Sequence, residues 1–326
     1  MQNVIFITDI FIFNVPAEPQ INAGTITLLL KKRKGNHMNI VFMNGGLGNQ
    51  TFQYIYLRYL ELQTGQPCII DDSPFWGSDV PHNGYELEKV FHIHHQRMSE
   101  LFDADVWNYM VSQRNSVAGI AQELSDGGMP LCMVYDTPNY RFNGTAYWAE
   151  NIPDHALDHF QNIYYHGYWL GNRYYIDFEN IIRKELVFPL LVTNQNAMQY
   201  LIQVKNSVCP VCIHIRRGDM VACGWCPEPE YYADSIGTFS AAHPHADFFL
   251  FSDDPDWCIA HQKELGLNAL HEHVHYITGN TSENSWMDLS IMSNCHYFIV
   301  GRSSFSLLAW MLCDFPEKEL ITSWQF

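Results

Sequence analysis

The sequence predicts an α/β chain built on parallel sheets, and three observations carry that reading. Apolar strand-like runs alternate with helical runs from Met38 onward. A glycine-rich turn joins the first strand to the first helix, the opening of an α/β unit. Polar groups cluster just beyond the ends of the apolar runs, where a parallel sheet gathers its functional side chains.

In chain order, residues 39–43 read as a short apolar strand. Gly45-Gly46-Leu47-Gly48-Asn49-Gln50 follows as a loop, then an apolar helical run extends to about Gln63. Residues 67–70 read as the next strand, ending at Asp71-Asp72, and Pro74, Gly77, Pro81 and Gly84 mark a loop. Residues 85–160 are mixed: helices are expected around 97–125, and the rest has no clear order. Residues 164–170 form an aromatic strand-like run, and a helical run from Gly171 ends near Val187, with Pro189 as a boundary. Residues 194–205 read as a helix, 211–215 as a strand, and 248–252 as a strand ending at Asp253-Asp254. Residues 297–300 are the last strand, followed by Gly301-Arg302-Ser303-Ser304 and an apolar helix to Cys313. The division that follows is an extension over 1–37, one α/β domain over 38–193 and a second over 194–326.

With 326 residues, 47% of them apolar and 14% aromatic, the chain can bury a large core and fill two ordinary domains. A formal charge of −17 opposes non-specific binding to nucleic acid or anionic membrane, so any basic site must be local. Nine cysteines in mostly apolar surroundings do not make the even framework of a small secreted domain, and a reducing compartment is expected. Asn143-Gly144-Thr145 and Asn280-Thr281-Ser282 fit the glycosylation sequon, which matters only in a secreted chain.

Apolar patches in the first thirty or so residues, such as Val4-Ile5-Phe6-Ile7, are broken by Asp9, Asn14, Pro16 and Glu18, so they make no clean membrane span. The basic run Lys31-Lys32-Arg33-Lys34 follows the apolar patches instead of preceding them, unlike a signal peptide, and reads as a solvated linker. A cytoplasmic chain is expected, with at most peripheral contact at the inner membrane face.

His214-Ile215-Arg216-Arg217-Gly218-Asp219 is the most informative stretch, because it puts two arginines at the end of an apolar strand. Guanidinium forks match phosphate oxygens in pairs and stay charged, so this is a candidate diphosphate clamp, with Asp219 able to hold one fork. A structural ion pair with Asp219 is equally consistent with these residues. The loop Gly46-x-Gly48-x-x-Thr51 approaches a dinucleotide fingerprint, with Asp71 and Asp72 at the distance of a ribose-binding acid, but its third glycine is missing. A phosphate-facing helix start or a plain tight turn fits it better. No Gly-Lys-Ser/Thr follows, which disfavours a Walker-type nucleotidase.

Cys209-x-x-Cys212 and Cys223-x-x-Cys226 have zinc-knuckle spacing, although pleating would send Cys209 and Cys212 to opposite faces of one strand. His271, His273 and His275 would share a strand face as a metal comb or, more simply, a solvated edge. Asp288, in an apolar helical run, could pair structurally or offer its carboxylate to two N–H donors of a guanine base.

Together these motifs resemble family 11 glycosyltransferases, the α-1,2-fucosyltransferases that use GDP-fucose. The resemblance rests on the glycine loop with Phe52-Gln53-Tyr54 after it, on Tyr165-His166-Gly167-Tyr168-Trp169, on the 214–219 motif and on residues 286–312, and it runs from about Met38 to the C-terminus. It implies a GT-B-like fold, two Rossmann-like domains facing a cleft, with the donor on the C-terminal one and the acceptor site shaped by the N-terminal one. By matching position, Arg216 and Arg217 would bind the pyrophosphate, with Asp219 completing the catalytic group and Gly48 and Asn49 approaching from the opposing domain. His214 and Asp288 would contact guanine. Ser252, Asp253 and Asp254 would line the nucleoside pocket, and Ser303, Ser304 and Phe305 would meet phosphate or fucose. Arg302 and Leu307-Leu308 depart from the Asn and Trp-Trp that many relatives carry there.

The implied reaction is an inverting transfer of L-fucose to the 2-hydroxyl of a galactose-terminated glycan, in surface glycan synthesis, with neither metal nor cofactor beyond the donor. Arginines aimed at the leaving diphosphate take the place of a cation, and a metal held by Asp253-Asp254 is the weaker reading. Asp71, Asp72 and His166 are candidate bases. The alternatives are a GDP-sugar transferase of another linkage or donor, and a zinc-stabilised interaction module.

Overall fold

A computed structural model describes residues 38–114, 118–137 and 140–324, and the readings made of the extension 1–37 lie outside the described residues. Five parallel strands form a first sheet: β1 (Met38–Phe42), β2 (Cys68–Asp71), β3 (Cys132–Tyr135), β4 (Ala146–Trp148) and β5 (Asn162–His166), in the order β2-β1-β5-β3-β4. A second parallel sheet holds β6 (Cys209–Ile215), β7 (Ala246–Ser252), β8 (Val274–Ile277), β9 (Tyr297–Val300) and β10 (Glu319–Thr322), in the order β10-β9-β6-β7-β8. Their registers bring Ile40 beside Ile69 and Tyr164 on one face and Val41 beside Ile70 and Tyr165 on the other, and likewise Ile213 beside Leu250 and Ile299, and Cys212 beside Phe249 and Phe298, so each sheet centre is apolar on both faces.

In the first half the helices are α1 (Leu47–Thr64), α2 (Leu87–Phe91), α3 (Ala104–Gln113) and α4 (Ala121–Asp126). Connecting the sheets are α5 (Glu179–Glu185) and α6 (Gln195–Asn206), whose Asn194 N-cap accepts from Ala197 N–H at 3.0 Å. The second half carries α7 (Gly218–Cys223), α8 (Pro229–Ala242), α9 (Pro255–Ala260), α10 (Trp286–Met292) and α11 (Ser304–Leu312). None of the helices among the described residues is long and apolar enough to cross a membrane.

Four strands were not expected from sequence. β4, β8 and β10 lie at sheet edges and β3 sits beside an edge, so only β3 is largely buried and the others make no continuous apolar run. The run expected as a strand to residue 170 stops at His166 because Trp169 turns left-handed, at φ +55°. Asp136 holds that turn by accepting from the N–H groups of Tyr168, at 3.0 Å, and Trp169. The histidine comb does not form: His271 and His273 lie in a 3₁₀ segment, His271 at φ +49°, and only His275 belongs to β8.

The cysteine pairs also separate. Cys212 is buried in the core beside Cys295, Cys209 is half-exposed, and Cys223 is exposed at the end of α7. All nine cysteines are free thiols, and no group of three or more His, Cys, Asp or Glu among the described residues could hold a metal. The zinc-module alternative therefore has no ligand set there.

One apolar core runs through both halves, from Val41 of the first sheet and Met43 just after it, through Phe52 and Ile55 of α1, to Leu308 of α11 and Cys212 and Phe298 of the second sheet. At its centre α1 and α11 meet where they both begin. A Cβ on Gly48 would lie 2.7 Å from the Phe305 nitrogen and 2.9 Å from the Phe305 Cα and the Ser304 carbonyl carbon. The other end of α11 is tied down by cations. Arg183 of α5 donates to the carbonyls of Leu312, Met311 and Cys313 at 2.8, 3.1 and 3.2 Å, and Lys318 reaches those of Met311 and Cys313 at 3.0 and 2.7 Å. These are the carbonyls a helix end leaves open, and the positive charge opposes its dipole.

Gly48→Ala should therefore force two backbones apart and lower unfolding free energy by about 1–3 kcal/mol, the usual effect of overpacking. Gly237→Ala, in α8 where an added Cβ meets nothing, should raise it by about 0.5–1 kcal/mol. Urea midpoints of the two variants against the wild type check both signs.

Candidate active site

In each sheet the strand order reverses next to the first strand. β2 lies on one side of β1 and β5 on the other; β7 lies on one side of β6 and β9 on the other. Loops leaving such neighbours diverge and open a crevice at the carboxyl ends of the strands. From the first sheet this edge brings the 45–48 loop and Gly167. From the second it brings Arg216 and Arg217 after β6 and Gly301 to Ser304 after β9. The contact of Gly48 with Ser304 and Phe305 sets the two edges against each other.

Two buried glutamines shape the first edge. Gln50 donates from Nε2 to the carbonyls of Gly45 and Gly84, both at 2.8 Å, and accepts from Glu86 N–H at 2.8 Å. Gln53 accepts from Asn44 N–H at 3.0 Å and donates to Gly167 O at 2.9 Å. Gly45 turns at φ +83°, and the Asn49 amide packs against its Cα. Their spacing, which puts Gln50 and Gln53 on one helix face with Leu47 and Leu57, was the available signal for both glutamines. His82, from the loop ahead of α2, lies against Gly46 and close enough to Arg216 and Asp219 to feel both charges. Burial first, then Arg216, lowers its pKa.

On the second edge the two arginines are already held. Arg216 bridges Asp219 at 2.7 Å and Asp253 at 2.8 Å. The Arg217 Nε meets Asp254 at 3.2 Å, its backbone N–H donates to Asp253 at 2.8 Å, and its guanidinium lies over the Trp257 ring at 3.5 Å. Ser252 Oγ donates to Ile215 O at 2.7 Å and accepts from Asp254 N–H at 3.0 Å. Asp254 also caps α9 through Trp257 N–H at 3.2 Å. Gly218 keeps room for this group, since a Cβ there would meet Asp253 Oδ2 at 2.6 Å. Ser303 is the N-cap of α11, accepting from Phe305 N–H at 3.3 Å. The neighbouring Arg302 turns away, stacked over Trp225 at 4.6 Å.

His214 belongs to β6, two residues before Arg216, and Asp288 of α10 pairs with Asn280 near Cys212, which strand alternation puts on the same face of β6 as His214. His214 is buried, its ring 6.0 Å from that of Phe305, and burial and Arg216 push its pKa down to about 3, so it stays neutral. Asp288 accepts from Asn280 Nδ2 at 2.7 Å; desolvation pushes its carboxyl up to about 7 against that hydrogen bond.

Two of the candidate bases are committed elsewhere. Asp71 is fully buried and accepts from the Tyr164 hydroxyl, Ser73 N–H at 2.9 Å and Ile120 N–H at 3.1 Å. Asp72 accepts from Trp76 Nε1 at 3.0 Å and from Ser99 N–H and Oγ at 3.0 and 2.6 Å. Both hold loops. His166 ends β5 with its ring stacked on Phe42 at 4.3 Å. Beyond it a cavity of about 640 Å³ is lined by Gln122, Tyr135, Tyr140, Arg141, Phe142 and Asn143.

The sequence model of glycosyl transferase family 11 matches residues 144–315, just over half of the chain. The chain belongs to glycosyl transferase family 11. A family relative from Escherichia coli, named alpha-1,2-colitosyltransferase, is 30% identical over 271 residues, covering 80% of this chain and 83% of the relative. Another Escherichia coli protein, the O-antigen biosynthesis glycosyltransferase WbnK, is 24% identical over 304 residues, covering 86% and 92%. Among solved structures, the NodZ alpha-1,6-fucosyltransferase co-crystallised with GDP superposes with a TM-score of 0.50 at 11% identity, covering 85% of this chain and 93% of that one. The fold is therefore GT-B-like, as the family resemblance implied, and the chain is a glycosyltransferase.

The raised pKa of Asp288 has a sign that stability can report. The folded state holds this proton more tightly than the unfolded chain, so its contribution is present below about pH 4 and is lost as pH rises through about 7. Asp288→Asn should therefore be more stable than the wild type at pH 8, by on the order of a few kcal/mol, with the gain shrinking to nothing near pH 4. Ligand-free urea unfolding across that range measures it.

Proposed function

We propose that this chain transfers L-fucose from GDP-β-L-fucose to the 2-hydroxyl of a terminal galactoside, with inversion and without a metal, in the synthesis of a surface glycan. The observation that carries this reading is the arginine pair at the crevice of the second sheet, opposite the N-terminus of α11 and the Gly48 loop. Family membership and the Escherichia coli relatives' names support it. The reaction would run in the cytoplasm, with at most peripheral contact at the inner membrane face.

On this reading the acceptor oxygen attacks the anomeric carbon as the bond to the diphosphate breaks, and the electron pair leaves with GDP. The hydroxyl proton passes to a base or to water. Arg216 and Arg217 meet the charge growing on the diphosphate in fixed positions, so little reorganisation is needed as it forms. Asp219, Asp253 and Asp254 hold those positions, and Arg216 exchanges a carboxylate for a phosphate when the donor arrives. His214 and Asp288 take the base, Ser252 and the two following acids border the nucleoside, and Ser303, Ser304 and Phe305 face phosphate or sugar. The aromatic cavity beyond His166 offers ring faces on which a pyranose can stack. The 30% identical relative favours one second reading, a colitosyl donor in place of fucose at the same site.

Incubation with GDP-fucose and a panel of β-galactosides, followed by linkage analysis, should give an α-1,2 product. Hydrolysis of a GDP-colitose donor in preference to GDP-fucose would move the assignment to the second reading. Transfer should persist in excess EDTA; loss of activity restored by Mg²⁺ or Mn²⁺ would refute the metal-free mechanism.

GDP should raise the melting temperature by binding only the folded state. Arg216→Lys and Arg217→Lys keep charge but lose the fork, so turnover should fall at least a hundredfold and the GDP-induced rise should shrink. Full GDP stabilisation in both variants would rule out the clamp.

A further inference from the structure

Asn280 was singled out in the sequence only as part of a glycosylation sequon, yet it is 5% exposed and its carboxamide is tied to Asp288. It sits just beyond β8, after a turn at Gly279 with φ +92°, and faces the start of α10. Its Nδ2 donates to Asp288 Oδ1 at 2.7 Å. When Asp288 is ionised its carboxylate only accepts, and that bond then fixes which end of the amide is which. Oδ1 is left pointing elsewhere, buried and without a hydrogen-bond partner among the described residues. His214 Nδ1 is buried and unpartnered in the same way.

A buried acceptor with no donor costs about 1–3 kcal/mol unless a ligand supplies one. Asn280 Oδ1 and the Asp288 carboxylate are acceptors on two side chains that the Nδ2–H bond holds together. Their complement is a ring edge with several neighbouring N–H donors. Guanine has such an edge, with one ring N–H and two amino hydrogens. Adenine and hypoxanthine have fewer donors there, and uracil has one.

We propose that Asn280 is a specificity-determining residue of the donor site: Asp288 accepts the guanine ring N–H and one hydrogen of the 2-amino group, and Asn280 Oδ1 accepts the other. This rests on the reading of the donor as a guanine nucleotide. Asn280 has two tasks in this arrangement, since the same amide that orients the carboxylate also reads the amino group. A desolvated Asp288 fits the first task, because a carboxyl held near neutrality needs a donor to keep it ionised for the base.

The test is titration calorimetry of GDP and IDP, which lacks only the 2-amino group, on the full chain and on Asn280→Ala and Asn280→Ser, each checked for folding by its melting curve. The wild type should bind GDP at least a hundredfold more tightly than IDP, as a site built to pair a missing group rejects the analogue. In the variants GDP should weaken about tenfold more than IDP, so the preference contracts. Equal weakening of both nucleotides, with the wild-type ratio preserved in whichever variant folds, would reduce Asn280 to a structural role and overturn the inference while leaving the donor reading intact. A wild-type chain that binds neither nucleotide, or binds both alike, would overturn the guanine reading and the inference with it. Melting of both variants without ligand would show that the chain needs the amide for folding, and would likewise overturn an assignment to base recognition.

Discussion

The site depends on the close approach of two helix starts. α1 and α11 meet at Gly48, where a single added carbon would collide with the backbone of Ser304 and Phe305. Each helix follows the central strand, or its neighbour, in its sheet, so fixing this contact fixes how the two crevices face one another. Arg183 and Lys318 hold the far end of α11, and Gln50 and Gln53 hold the loops beside α1. The glycine is thus the pivot of a braced joint, and the polar side chains around it are its struts.

Charge at this joint is closely balanced. Two arginines stand among three carboxylates, Asp219, Asp253 and Asp254, in a chain that is already strongly acidic. The structural ion pair and the anion clamp, which compete as explanations of the 214–219 motif, are both compatible with this arrangement. The carboxylates hold the guanidinium groups in place, and Trp257 lies flat against Arg217. Preorganisation of this kind has a cost: an incoming anion meets fixed negative charge as well as fixed positive charge. Backbone N–H groups at the start of α11 add positive potential without a counter-charge of their own.

Much of the framework was legible because the central strands are buried on both faces. β6, β7 and β9 stand out as apolar runs, and the residues just after them read as functional because chemistry-bearing types seldom follow such runs without reason. Edge strands were not legible: β4 and β10 hold few buried side chains, and β8 interleaves Val274 and Ile277 with His275 and Tyr276. Asp71 and Asp72 looked like ribose or base residues from their spacing, but their roles depend on Tyr164, Ile120 and Ser99, residues far along the chain. Asn280 shows the same limit in reverse. Nothing local marks it, because its partner Asp288 comes from the next helix.

The continuous core between the sheets also constrains how such an enzyme can move. Rotating one half away from the other as a rigid body would wet Phe52, Ile55 and Leu308 together, at about 25 cal/mol for each Å² of apolar surface exposed. Hinge opening would therefore be expensive. Traffic through the crevice is left to its rim, where Asn83 of one half touches Ser282 of the other through a single hydrogen bond of 3.0 Å. A substitution at this rim contact can therefore alter how the two halves meet at the surface without disturbing the core that sets them.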